Sequence, residues 1–395
     1  MPDVREIPLA LYVHIPWCER KCPYCDFNSH EGFSPQWEGA YTEALLQDLK
    51  GQLAGLSALR PLHSIFIGGG TPSLFSGSAI AALLTGIDRL WGITGGTEVT
   101  LEANPGSAQE SRFAAYRAAG INRLSLGIQS YSDSHLKTLG RIHTAAQARA
   151  AVDQAANHFP RFNIDLMHGL PNQTVDEAIR DLQEALQSET DHLSWYQLTL
   201  EPNTAFWSRP PQLPVEDTLA DIQDAGAQTL SKSGFRQYEV SAWSKRGKEA
   251  QHNLNYWQFG DYIGIGAGAH GKLTQGDWRI ERTQRTRVPV DYMTAIRERR
   301  PLRRSAIPRT ELPVEFMLNA LRLREGVPLP LFAQRTGLDE MMLQGTVPDL
   351  VTRGLLTLDE GRLRTTPLGF NFLNDVLARF MATADNPSGI SLFEQ

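Results

Sequence analysis

Strand-like and helix-like runs alternate along the first 235 residues, and this constrains the fold more than any other feature of the 395-residue sequence. The β-rich runs are LALYVHIP (9–16), HSIFIGGG (63–70), EVTLEAN (98–104), RLSLGIQS (123–130), FNIDLMHGLP (162–171) and HLSWYQLTLEP (192–202). Helical patterning fills 36–54, 78–91, 108–119, 144–158, 174–187 and 216–233, with Gly120 where a helix-terminating glycine is expected. Alternation of this length predicts parallel strands joined by crossover helices. Six such units predict an α/β fold built on a partial (β/α) barrel rather than an open nucleotide-binding sheet. Barrels of this kind gather their working groups at the C-terminal ends of the strands. Gly68–Thr71, Glu102, Gln129, Asp165 and the loop after the first strand should therefore face one mouth.

That first loop carries all the thiol chemistry. Cys18, Cys22 and Cys25 are the chain's three cysteines, spaced C-x3-C-x2-C within WCERKCPYC. Thiols this close, around Pro23 and with no distant partner, do not read as a disulfide framework, so a soft metal centre comes forward. Structural zinc and ordinary iron–sulfur clusters usually take four protein ligands. Three cysteines therefore leave two metal readings: His14 or His30 completes a Cys3His zinc site, or one coordination position stays open. Three inert core thiols are the bland alternative.

The composition is that of a globular protein, with 41% hydrophobic and 21% charged residues. A net charge of −6 argues against a general nucleic-acid binder. An early acidic residue and the lack of a long apolar run argue against a signal peptide or a membrane span, so a cytoplasmic protein is expected. The domain expectation is a barrel core over 1–235, then an aromatic and glycine-rich segment leading into an arginine-rich linker over 236–305. A helical, winged-helix-like domain over 306–382 and a loose tail over 383–395 follow. The stretch 279–304 holds nine arginines against Glu281, Asp291 and Glu298. It reads as a solvated linker, or as a dock for the carboxylates of an anionic ligand, an acidic partner or an anionic membrane.

C-x3-C-x2-C with an aromatic, Tyr24, before the third cysteine resembles the radical S-adenosylmethionine (SAM) superfamily. The resemblance implies a [4Fe–4S] cluster on three cysteines whose fourth iron chelates the amino and carboxylate groups of SAM. It also implies that Gly69, Gly70 and Thr71, after the second strand, contact the methionine end of SAM. By themselves, glycines there let a backbone approach a ligand and present its amides, and Glu102 at a strand end can accept two ribose hydroxyls. Arg141 suits a carboxylate held through two parallel hydrogen bonds.

YVHIPWC, FIGGGTPS, LGIQS, LGRIH and NIDLMHGLP, in this order, are similar to the oxygen-independent coproporphyrinogen oxidase family over residues 9–270. The family implies that Tyr12, the cysteines, Gly69–Thr71 and Glu102 hold a first SAM. It links Tyr24, Gln129, Arg141 and Asp165 to a second SAM or to the substrate region. Two departures stand out: the family's decarboxylating enzyme has a fourth cysteine where this chain has Phe27, and it has an N-terminal extension before the motif. Both departures resemble the heme-chaperone branch of the family. His252, Asn253 and Tyr256 match that branch's H-N-x-x-Y motif, which implies heme as a further ligand, and an imidazole is a common axial iron ligand. The resemblance thus implies a chaperone that hands heme to acceptor proteins, membrane respiratory enzymes among them, and that can sit peripherally at the inner membrane. The alternative is an oxygen-independent coproporphyrinogen III dehydrogenase. Cleavage of SAM would call for an electron donor as a partner, whereas SAM that is only bound would not.

Overall fold

The computed structural model describes residues 3–106 and 111–383; the tail expected from 383 therefore lies, apart from Thr383, outside the described residues. Six parallel strands follow the expected order: β1 (Leu9–Ile15), β2 (Leu62–Gly69), β3 (Glu98–Ala103), β4 (Arg123–Gln129), β5 (Phe162–His168) and β6 (His192–Gln197). Crossover helices Trp37–Ala54, Gly77–Trp91, Phe113–Ala119, Ala145–His158, Val175–Ala185 and Glu216–Lys232 occupy the expected intervals. The start of the segment expected at 108–119 lies outside the described residues. Leucine, isoleucine and phenylalanine from the strands meet these helices in one large core. Near-continuous burial along β1, β4 and β5 is what a parallel strand covered on both faces requires.

The sheet does not stop at six strands. β7 (Arg236–Gln237) and β8 (Ala242–Ser244) extend it beyond β6, while β9 (Asp261–Ile265), β10 (His270–Thr274), β11 (Ile280–Gln284) and β12 (Arg303–Ala306) extend it beyond β1. The order β12-β11-β10-β9-β1-β2-β3-β4-β5-β6-β8-β7 leaves two ends that are not hydrogen-bonded to each other. The barrel is therefore partial, as expected. The arginine-dense stretch 279–304 corrects the linker reading: β11, the helix Pro289–Arg297 and β12 make it part of the main sheet. Its arginines are used there, Arg282 on Glu315, Arg285 on Asp48 and Arg304 on Glu281.

A second core forms around Phe316, Met317, Phe332, Leu350 and Val376. The helices there are Leu312–Ala320, Pro330–Thr336, Val347–Thr352, Pro367–Asn371 and Leu373–Thr383. β14 (Leu356–Asp359) and β15 (Arg362–Thr365) form a hairpin beside these helices, as in a winged helix, and β13 (Val327–Pro328) adds a third strand.

Candidate functional site

The cysteine loop is held by backbone. His30 donates its N–H to the Pro16 carbonyl at 2.7 Å, and Cys18 donates to the His30 carbonyl at 2.9 Å, closing the loop as a small bridge. The end of β2 then clamps it. Gly70 donates to the Ile15 carbonyl (2.8 Å) and Thr71 to the Trp17 carbonyl (2.7 Å). Two glycines make that approach feasible. Gly69 has φ +116°, and a Cβ there would lie 2.6 Å from the His14 ring; one on Gly70 would lie 2.5 Å from the Trp17 carbonyl oxygen. This refines the reading of the glycine run: the Gly70 and Thr71 amides serve the cysteine loop, and the Gly69 amide donates to Glu102 Oε2 at 3.2 Å.

Polar donors face all three sulfurs: the Phe27 backbone amide serves Cys25, and side chains serve the other two. Thr71 Oγ1 donates to Cys18 Sγ at 3.5 Å, and Arg141 Nη1 approaches Cys22 Sγ at 3.7 Å. Arg141 is otherwise committed, with Nη2 donating to Asn104 Oδ1 (2.6 Å) and to the Gly127 carbonyl (2.8 Å). Both of its terminal nitrogens are thus engaged within the protein, while the buried Nε has no hydrogen-bond partner among the described residues. Asn104 completes a circuit by donating from Nδ2 to Thr71 Oγ1 at 3.0 Å. Asn104 is absent from the sequence-derived candidates, because an asparagine before Pro105–Gly106 reads as a turn residue.

Glu102 and Asp165 lie inside the mouth. Burial first, then the charge of Asp165, pushes the Glu102 carboxyl up to about 7. Burial likewise raises Asp165, which accepts from Asn163 (2.7 Å) and Ser125 (3.1 Å). Gln129 sits at a register break in β4 with φ +68° and accepts the Tyr196 hydroxyl at 2.6 Å. Tyr24 leans on Phe206, whose amide donates to the Pro23 carbonyl. Tyr12 lies deeper in β1, with its ring against Phe66 and its hydroxyl 3.0 Å from His14 Nδ1.

The three remaining candidates lie at the other end of the strands. His252, Asn253 and Tyr256 ride on the helix Gln251–Trp257, packed against the N-terminal halves of β2 and β3. The His252 ring is 1% exposed and stacked on Phe66, with Nδ1 2.9 Å from Ser64 Oγ and Nε2 3.1 Å from Tyr256 Oη. Burial lowers it to about 3, which keeps the imidazole neutral. Asn253 hydrogen-bonds Tyr238. An axial bond from His252 would need Ser64 or Tyr256 to release its ring.

The donor set fits an iron–sulfur cubane better than a single ion. Among the described residues no three Cys, His, Asp or Glu side chains converge on one metal position, whereas a cubane places its irons at separate corners. His14 has both ring nitrogens engaged, by Tyr12 and by the Asn28 carbonyl, and His30 Nε2 faces the Arg287 carbonyl. The Cys3His zinc alternative thus has no free nitrogen on His14 and would have to use His30 Nδ1. Burial pushes the Cys25 thiol up to about 11 and raises Cys18, so a bound cation must supply what makes them thiolates. All three cysteines are partly exposed at the mouth.

A partial barrel with three cysteines at its mouth defines a radical SAM protein, and the Radical SAM superfamily model matches residues 12–185. The HemN C-terminal domain model matches residues 307–372. Among curated relatives, the heme chaperone HemW of Haemophilus influenzae is 47% identical over 95% of this chain and 98% of its own length. HemW of Escherichia coli is also 47% identical, with the same coverage. The mitochondrial radical S-adenosyl methionine domain-containing protein 1 of Mus musculus is 38% identical, covering 95% of this chain and 88% of its own. The chain belongs to the HemW family. Among solved structures, coproporphyrinogen III oxidase (HemN) from Escherichia coli superposes with a TM-score of 0.79 over 95% of this chain and 90% of that one. At 23% identity that likeness shows the fold alone. Membership of the radical SAM superfamily implies SAM and a [4Fe–4S] cluster as cofactors. Among the described residues no helix is long and apolar enough to cross a membrane.

Proposed function

We propose that this chain is a heme chaperone: it binds heme and passes it to an acceptor protein, and it carries a [4Fe–4S] cluster with SAM at its open iron. The near full-length, 47% identity to proteins named heme chaperones carries this reading. Phe27 supports it, because it stands 55% exposed where the decarboxylating enzyme has a fourth cysteine. In this reading Cys18, Cys22 and Cys25 hold the cluster. Glu102, Gly69, Gly70, Thr71 and Tyr12 line the SAM position, with Gln129, Arg141, Asp165 and Tyr24 around it. Held by these three cysteines, a cluster would supply the electron for any reductive chemistry on SAM; the protein's own part is to fix the loop and to shield the mouth. Membrane respiratory enzymes are the proposed acceptors, reached from a cytoplasmic, peripherally docking protein.

Heme is proposed to contact the helix Gln251–Trp257, with His252 freed from Tyr256 when it binds. Anaerobically reconstituted protein is expected to bind one heme per chain in a spectrophotometric titration at micromolar concentrations. His252→Ala should weaken binding several-fold, while Tyr256→Phe, which keeps the ring and releases Nε2, should not weaken it. No heme spectrum with the unaltered protein would overturn the chaperone reading. Sustained anaerobic conversion of coproporphyrinogen III by the same sample would favour the dehydrogenase instead.

A further inference from the structure

The contacts around the cysteine loop form a closed circuit. From Cys18 Sγ it runs through the Thr71 hydroxyl (3.5 Å) to Asn104 Nδ2 (3.0 Å), and from Asn104 Oδ1 to Arg141 Nη2 (2.6 Å). Arg141 Nη1 closes it onto Cys22 Sγ (3.7 Å). One amide thus supports the groups that face two sulfurs. Its two ends do different things. The Nδ2 donor occupies a lone pair of the Thr71 oxygen, and this turns the hydroxyl proton toward Cys18. The Oδ1 acceptor, with the Gly127 carbonyl, pins the guanidinium plane so that Nη1 faces Cys22. Asn104 is fixed in turn, because its own N–H donates to Ser73 Oγ at 3.3 Å from the turn that follows β2.

We propose that Asn104 is a positioning residue that couples the electrostatic environments of Cys18 and Cys22 and so sets the reduction potential of a cluster bound there. The proposal rests on the cluster reading above. Hydrogen bonds to thiolate sulfurs make a cluster easier to reduce, because they stabilise the added negative charge. Asparagine suits the post because one short amide both donates to Thr71 and accepts from Arg141. Aspartate would lose the donor, and leucine would lose both ends at nearly constant volume.

The test is an EPR-monitored redox titration of the reconstituted protein, with iron and sulfide analysis and thermal melting on the same preparations. Asn104→Leu is expected to keep its iron and its melting temperature within a few degrees. Its reduced-to-oxidised ratio at fixed potential should fall about tenfold, which is 59 mV for one electron. Thr71→Val, which removes the Thr71 hydroxyl from Cys18 and leaves the Arg141 branch in place, should give part of that shift. The double variant should shift less than the sum of the two, because both act on the Cys18 branch. An unchanged potential in an iron-loaded Asn104→Leu protein, or strictly additive shifts, would overturn the proposal. If Asn104→Leu does not fold, Thr71→Val decides alone: an unchanged potential there overturns the proposal too. Absence of iron and sulfide from the unaltered protein would instead sink the cluster reading and is read separately.

Discussion

Glu102 is held near 7 against an ordinary 4.5, by burial and then by Asp165, and the sign of its effect on stability follows. Below about 4.5 both folded and unfolded chains keep the proton. As pH rises from there to 7, the unfolded chain gives its proton up and the folded one retains it. The favourable contribution of the protonated group is therefore lost as pH climbs through the folded value. The full difference is on the order of 3 kcal/mol, and less where water reaches this partly buried side chain. Glu102→Gln keeps an acceptor for the Gly69 amide and removes the charge. In urea melts of cluster-free protein it should stabilise by about 1–3 kcal/mol at pH 8 and by much less at pH 5. Equal effects at the two pH values would contradict this. The same substitution removes the carboxylate proposed to hold SAM, so stability and ligand affinity should move in opposite directions.

At the level of elements, the crossover helices are anchored by signals that the sequence writes out. Thr174 and Glu177 form a reciprocal cap on the helix Val175–Ala185: the Thr174 amide donates to Glu177 Oε2 (2.9 Å) and the Glu177 amide donates to Thr174 Oγ1 (3.3 Å). Thr174→Ala should cost about 1 kcal/mol, read as a lower urea midpoint at unchanged slope. Such caps and the long apolar strands made the six strand–helix units legible to within a few residues. The sheet extensions between 236 and 306 were not legible, because β7 to β12 are two to five residues long, too short for a period to declare itself. Arginine density suggested a solvated linker, when Arg282, Arg285 and Arg304 in fact find carboxylates on other elements. The site divides in the same way. Cys18, Cys22, Cys25 and the glycine run announce themselves by spacing. The role of Asn104, and the packing of His252 against Ser64, depend on contacts across 33 and 188 residues of sequence.

Across the whole molecule, the barrel and the C-terminal core meet at a buried ionic knot on β9. Asp261, wholly buried, accepts from Arg60 (2.9 Å), Lys272 (2.8 Å), the Thr274 amide (2.8 Å) and the Thr274 hydroxyl (2.9 Å). Lys272 also sits 4.2 Å from the centre of the Phe259 ring, and Phe259 packs against Phe316 in the second core. The knot therefore ties the segment before β2 to the sheet extension and, through Phe259, to the C-terminal domain. Burial alone would raise the Asp261 carboxyl, but Lys272 and Arg60 hold it below its ordinary value. A depressed carboxylate stabilises the fold above its unfolded value near 3.8, and that stability disappears as pH falls through the lower folded value. Asp261→Asn leaves two buried cations with a neutral partner and should cost about 3–5 kcal/mol at pH 7. The penalty should shrink in acid, where the native carboxylate is itself being protonated. Because the knot joins two cores, the variant should also lose cooperativity, with the C-terminal domain melting before the barrel in calorimetry. A single transition at the unaltered temperature would show that the cores are coupled by apolar packing alone.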